Sequence, residues 1–330
     1  MNERALKTIF TLIVILFIII GKNIASVSMT ANKIEAQIIS EYKTASLIAN
    51  SSILPEKDIN FPKEEFRAID TGSTTLSSSV EKLPNLKTIE VPSVDATAFL
   101  IGDINRNENV AEYSLDKRWP IASITKLMTA VVALEEVAPD TYITVGINAS
   151  NVGGSSDILS AGKIFKIEDL IKAMMVTSSN QAATAIQEFV GKKKFVYLMN
   201  LVAARLGMHD TYYVEATGLS VLNQSTAYDL KILAYYIWDK HNEIFSYSTL
   251  PEIKILDKSM NSSIIIRNIN SFVGRKDFLG GKTGFIIDSG GNLISIFSRS
   301  GSQVITIVLG ADDRFLETKK LMQWFDAYSQ

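Results

Sequence analysis

The sequence predicts an α+β fold: one antiparallel sheet assembled from both ends of a domain, helices on its faces, and an all-helical subdomain between. Three observations lead there. Strand patterns open the domain at Ala96–Asp103 and Val110–Ser114, on either side of a turn-rich Asn105–Asn109. Helical periodicities fill the middle of the chain. Short β-branched stretches and one last helical stretch close it.

In chain order, the first element is an address. Arg4 and Lys7 precede an uncharged run, Thr8–Gly21, which Lys22 ends. A basic flank and an apolar run of this length read as a signal peptide or short N-terminal signal anchor over residues 1–22. The remainder is then extracytoplasmic, either secreted or held at the cytoplasmic membrane by that segment. Residues 23–92 are rich in Ser, Thr, Lys and Glu, and Pro55, Pro62, Pro84 and Pro92 interrupt them. They read as a linker, with low complexity at Asp70–Ser79 and partial helical spacing within Lys33–Asn50. Residues 93–330 form the folded domain.

Within that domain, Ile124–Leu134 reads as a helix apolar nearly all round. Further helical patterns run over Ile167–Val176, Gln181–Val190, Lys194–Leu206 before Gly207, and Ser225–Lys240, the last opened by a capping-type "TAYD". The closing strand patterns are "SIIIRN", "GKTGF", "NLISIFSR" and "VITIVLGA", followed by a helix over Arg314–Tyr328.

Composition narrows the function. A chain of 330 residues with 47% hydrophobic side chains can bury a large core. A formal net charge of −2 offers nucleic acid no electrostatic footprint. The absence of cysteine excludes disulfides, thiolate metal sites, a cysteine nucleophile and a lipobox-type lipid anchor. The two histidines, His209 and His241, both follow helix-end patterns, where histidine commonly caps. A Ser-His-Asp triad is therefore not expected, and no metal or cofactor is implied.

The chemistry starts at "PIASITKLMTA". Lys126 is the one strongly polar residue of the Ile124–Leu134 helix, and a lysine inside a core needs a partner. Ser123 stands three residues earlier, on the same helix face, so hydroxyl and amine lie side by side as an activated nucleophile requires. Two other stretches fit that chemistry. Ser178-Ser179-Asn180 falls at the break between two helices and can present a hydroxyl and a carboxamide together. Lys282-Thr283-Gly284 lies on a strand whose glycines let another chain approach its backbone. Each is weak alone, because Ser178 reads equally well as a helix N-cap and Lys282 as a solvated strand charge. The three in order, on helix, loop and strand, are the set found in β-lactamases and penicillin-binding proteins.

On these residues the chain resembles the serine-type D-alanyl-D-alanine carboxypeptidases, the low-molecular-mass penicillin-binding proteins of peptidase family S11. "RWPIASITKLMTA", "IEDLIKAMMVTSSNQAATAIQEFVG", "MNLVAARLGMHDTYYVEATGLS", "STAYDLKILAYYI" and the stretch from Gly280 to Ala311 share the likeness. It extends from about Ala96 to the end, about seventy per cent of the chain. The resemblance implies a β-lactamase/transpeptidase-like fold and a D,D-peptidase catalytic domain over residues 93–330. It also implies that peptidoglycan stem peptides are the substrate and β-lactam antibiotics covalent inhibitors. Ser179 stands where the family usually has Gly or Asp, a change expected to matter little. The chain also stops one helix after the last strand, so any membrane tether is expected at the N-terminus.

The resemblance further implies roles. Ser123 attacks the D-Ala-D-Ala peptide bond. Lys126, held neutral by burial and by the nearby Lys282 charge, takes the proton. Backbone N–H groups of Ser123 and Phe285 hold the oxyanion. Lys282 and Thr283 bind the terminal carboxylate, Ser178 relays a proton to the leaving amine, and Asn180 holds the peptide amide. The strand edge at Gly284 pairs with the peptide backbone. Three alternatives stay open: a D,D-endopeptidase of the same family, a class A β-lactamase, and an inactive peptidoglycan-binding protein. A β-lactamase needs a water-activating glutamate followed four residues later by asparagine. Glu215 is suitably distant from Asn180, but Leu219 occupies the fourth place.

Overall fold

The computed structural model describes residues 92–106, 108–154, 158–299 and 301–329. The expected leader, the linker as far as residue 91 and the periodic stretch at Lys33–Asn50 lie outside the described residues. Among the described residues, no helix is long and apolar enough to cross a membrane.

The domain opens with the hairpin β1 (Ala98–Asp103) and β2 (Glu108–Tyr113), and a short β3 (Trp119–Pro120) leads into α1 (Thr125–Glu136). A mainly helical stretch follows. It comprises β4 (Tyr142–Thr144), α2 (Ile147–Asn151), β5 (Ile164–Lys166), α3 (Ile167–Thr177), α4 (Asn180–Val190) and α5 (Lys192–Arg205). Then come β6 (Gln224–Ser225), α6 (Ala227–Lys240) and α7 (Glu243–Tyr247). The end of the chain supplies a hairpin, β7 (Glu252–Asp257) and β8 (Ser262–Arg267), then β9 (Phe278–Ile286), β10 (Gly290–Arg299), β11 (Ser302–Ala311) and α8 (Arg314–Tyr328).

The main sheet has the order β2-β1-β11-β10-β9, antiparallel throughout, so both ends of the domain build it. They join where Leu100 pairs with Ile307. Both faces of its central strands are covered, which explains why β1, β10 and β11 read as nearly unbroken apolar runs. Leu100, Ile294, Ile305 and Ile307 face the large core shared with α1 and the helical part. Phe99, Ile101, Leu293, Val304 and Val308 face a smaller core closed by Leu321 and Met322 of α8. The edge strand β9 carries the Lys282-Thr283-Gly284 stretch.

The structure departs from the expected pattern in two places. The helical part also contains paired strands, β4 with β5 and β7 with β8, and β3 pairs with β6. The Ser263–Asn268 pattern is β8, and its partner is β7 rather than the main sheet. β7 was hidden because its inward positions are Ile253, Ile255 and Asp257, so a charge sits where the alternation calls for an apolar residue. That carboxylate is turned in to accept from the backbone N–H of Ile164 and Ser259. α6 begins two residues later than its pattern. Ser225 belongs to β6, and Thr226 is the N-cap, accepting from Asp229 N at 3.0 Å. The Asp229 carboxylate does not reach back to close a capping box. It accepts instead from Asp210 N and Thr211 Oγ1, tying α6 to the preceding turn.

Two hydrogen bonds fix the segment ahead of Ser123. Trp119 Nε1 donates to Ser289 O and Asn292 Nδ2 to Pro120 O, each at 2.9 Å. Farther out, Glu135 at the end of α1 accepts from Arg205 of α5 at 2.9 Å and from Tyr236 of α6 at 2.6 Å, with His241 close by. Burial opposes ionisation there, but the hydrogen bonds from His241, Tyr236 and Arg205 outweigh it and bring the carboxyl down to about 2. A depressed acid stabilises the fold above its ordinary value and loses that effect as the pH falls through the folded one. Solvent screening at this half-exposed site reduces the effect, so Glu135→Gln should cost about 1–2 kcal/mol at neutral pH. The cost should shrink steadily as the pH falls from 4.5 toward 2. Chemical denaturation of both proteins across that range measures it.

Candidate active site

Three elements converge as the motifs require. Ser123 lies in a single 3₁₀ turn, Ala122–Ile124, that feeds α1. Ala122 in that turn adopts φ +48°, a left-handed conformation uncommon for any residue but glycine and typical of functional sites. One turn on, Lys126 is wholly buried, and its Nζ stands 2.9 Å from Ser123 Oγ. Nζ also donates to Asn180 Oδ1 at 2.7 Å and to Thr217 O at 2.5 Å. Burial pushes the Lys126 amine down to about 7, against a smaller pull upward from Glu215. Desolvation is the chief cause, as expected, and the Glu215 anion opposes it, while the mutual repulsion with Lys282 falls on the Lys282 amine.

The break between α3 and α4 supplies the second group. Ser178 ends α3 in a left-handed conformation, φ +60°, and Ser179 caps α4 by accepting from Ala182 N. The N-cap role considered for Ser178 thus belongs to its neighbour. Ser178 Oγ is left to accept from Lys282 Nζ at 2.9 Å. Lys282, 1% exposed, also donates to Thr283 O at 2.8 Å. Burial, then the Lys126 charge, then that of Arg314 hold its amine well below the ordinary lysine range. Lys282 thus stands behind Ser178, with its amine on that hydroxyl and on the backbone of the strand beside it. The Asn180 carboxamide bonds Lys126 through Oδ1 and Gly153 O through Nδ2, at 2.7 Å each.

β9 brings the third group. An added Cβ at Gly284 would come within 2.8 Å of Ile121 O and 3.2 Å of Ser123 N, so only glycine allows the strand to lie against the nucleophile turn. Phe285 follows at the rim, 59% exposed. Thr283 is nearly buried on the same strand.

The fourth contributor is the loop Glu215–Asn223, in which the sequence marked Glu215 but not Asn223. Asn223, fully buried, accepts from Val214 N and donates to Thr125 Oγ1 and Glu215 O. No pattern marks it. The Glu215 carboxylate is turned into its own loop, accepting from the backbone N–H of Thr217 and Gly218. It is not offered to a water beside Ser123, as a deacylating glutamate would be.

A family model described as D-alanyl-D-alanine carboxypeptidase matches residues 85–313. The D-alanyl-D-alanine endopeptidase of Pseudomonas aeruginosa is 32% identical over 237 residues, 69% of this chain and 76% of that protein. The carboxypeptidase DacC of Escherichia coli is 31% identical over 258 residues, 72% of this chain and 63% of that protein. Among solved structures, a D-alanyl-D-alanine carboxypeptidase from Mycobacterium tuberculosis superposes with a TM-score of 0.68 at 20% identity, covering 73% of this chain and 95% of that one. Penicillin-binding protein D2 of Listeria monocytogenes, in its ampicillin-bound form, gives 0.61 at 29% identity over 73% and 99%.

Proposed function

Because the chain belongs to the D-alanyl-D-alanine carboxypeptidase family, peptidase family S11, and is a serine-type hydrolase, we propose that it removes the terminal D-alanine from peptidoglycan stem peptides through an acyl-enzyme on Ser123. The observation that carries this reading is a fully buried lysine amine, lowered to about 7, at 2.9 Å from a partly exposed serine hydroxyl. An amine so placed is about half neutral at pH 7, and the neutral form accepts the hydroxyl proton as Ser123 attacks. Backbone N–H groups of Ser123 and Phe285 receive the oxyanion, a role favoured by the close approach of β9 to the nucleophile turn. Ser178 and Thr283, backed by the Lys282 amine, receive the terminal carboxylate. Ser178 passes a proton to the departing D-alanine. The unpaired edge of β9 takes the peptide as an added strand. Water then attacks the ester, with Lys126 again the adjacent base.

β-Lactams present a strained amide and a carboxylate in the same arrangement and acylate the same serine, and the protein works in the cell envelope. The likeness to the Pseudomonas aeruginosa protein supports a second reading, cleavage of the cross-link by the same machinery. Mass spectrometry of products from purified pentapeptide and from cross-linked dimer tests both. Loss of one D-alanine from the pentapeptide is expected. Release of monomer from the dimer with the pentapeptide untouched would mark an endopeptidase, and no cleavage of either would refute the assignment.

A further inference from the structure

The loop after Tyr213 takes no part in the chemistry proposed above, yet it is fastened to the residues that perform it. Glu215 gathers its own loop: Oε2 accepts from Thr217 N and Thr217 Oγ1, each at 2.5 Å, and Oε1 from Gly218 N at 2.7 Å and Asn223 Nδ2 at 3.0 Å. The turn so formed is clamped along one side of α1, because Thr129 Oγ1 donates to Ala216 O at 2.7 Å and Asn223 Nδ2 to Thr125 Oγ1 at 3.1 Å. At its apex the Thr217 carbonyl receives the Lys126 ammonium at 2.5 Å. Gly218, at φ +83°, lies so near the nucleophile turn that an added Cβ would stand 1.9 Å from Ala122 O. One carboxylate thus shapes both the cradle of the lysine and the floor under the serine.

We propose that Glu215 is a positioning residue for acylation, setting Lys126 through the Thr217 carbonyl and Ser123 through Gly218. This rests on the reading of Ser123 as nucleophile and Lys126 as base. The charged groups facing Lys126 are Glu215 from this loop and Lys282 from β9, with Arg314 of α8 beyond Lys282. Ser123 and Asn180 add neutral dipoles. The Glu215 anion favours the ammonium form of Lys126, so removing that charge makes the amine neutral at lower pH, while loosening the turn misplaces it. The two effects separate in a pH profile. A residue that only stabilised the loop would lower the melting temperature and leave the profile where it was.

The test is the second-order rate of labelling of the full chain by a fluorescent penicillin, across about pH 5 to pH 9, an interval that spans the base's titration. Glu215→Gln should lose about 10²-fold in plateau rate, and its acid limb should move about one unit toward lower pH. Thr217→Val keeps the charge and deletes one donor to it. Its rate should fall with the limb in place, which keeps the proposal open to test if Glu215→Gln does not fold. An unmoved limb in Glu215→Gln, or wild-type rates in Thr217→Val, would overturn the proposal alone. A wild-type protein that takes no label on Ser123 would overturn the parent reading and this proposal with it.

Discussion

Lys126→Arg should fold and lose about 10²–10⁴-fold in the rate of Ser123 acylation. Arginine stays charged at any usable pH and cannot accept the serine proton. Its fork of donors does suit the three acceptors that surround the native amine, Ser123 Oγ, Asn180 Oδ1 and Thr217 O. Lys126→Met removes the charge and the base together and should fail to the same extent. Thermal melts show whether each variant is folded, and stopped-flow labelling with a fluorescent penicillin measures the loss. Acylation of the arginine variant within tenfold of wild type would remove Lys126 from the mechanism. In the wild type, acylation should rise with pH through about 7, as the lysine becomes neutral.

Gly218→Ala should be nearly as damaging through a different cause. At φ +83° an L side chain is strained wherever it is placed, and here the new methyl meets backbone: Ala122 O at 1.9 Å and Ser123 N at 2.9 Å. Neither atom belongs to a flexible side chain that can swing away, and Ala122 is itself held at φ +48°. A loss of more than about 4 kcal/mol of stability is expected. If the loop yields instead, the displaced serine should acylate about 10²-fold more slowly. Urea denaturation and the labelling rate separate these outcomes, and a variant normal in both would contradict the packing described.

Much of the site was legible because its residues break local rules. Lys126 stands out in a helix otherwise apolar all round, and Ser123 follows from it by helix geometry. The glycines around Lys282 mark a strand approached by another backbone. Partners that obey local rules stayed hidden. Asn223 and Thr217 look like ordinary turn residues, and their worth lies in contacts that only the folded loop makes: Asn223 with Val214 N and Glu215 O, and the Thr217 carbonyl with the Lys126 amine. Glu215 was conspicuous for the wrong reason, as a possible base for water, whereas its carboxylate is engaged by N–H groups two and three residues ahead. The orientation of Asn180 toward Lys126 and Gly153 was equally invisible, since it depends on how α4 meets α1. The sheet was readable from its β-branched strands, while β7 escaped notice because an inward aspartate interrupts its alternation.

Whether Ser123 is the acylated nucleophile and Lys126 its base is decided by digestion of the penicillin-treated protein followed by peptide mass mapping. One adduct, equal in mass to the intact drug whose ring has opened, is expected on the peptide containing Ser123. It should persist for minutes or longer because Glu215 is engaged in its own loop, and it should be absent from Ser123→Ala. An adduct on another residue, one that survives in Ser123→Ala, or rapid turnover of the penicillin would contradict this assignment.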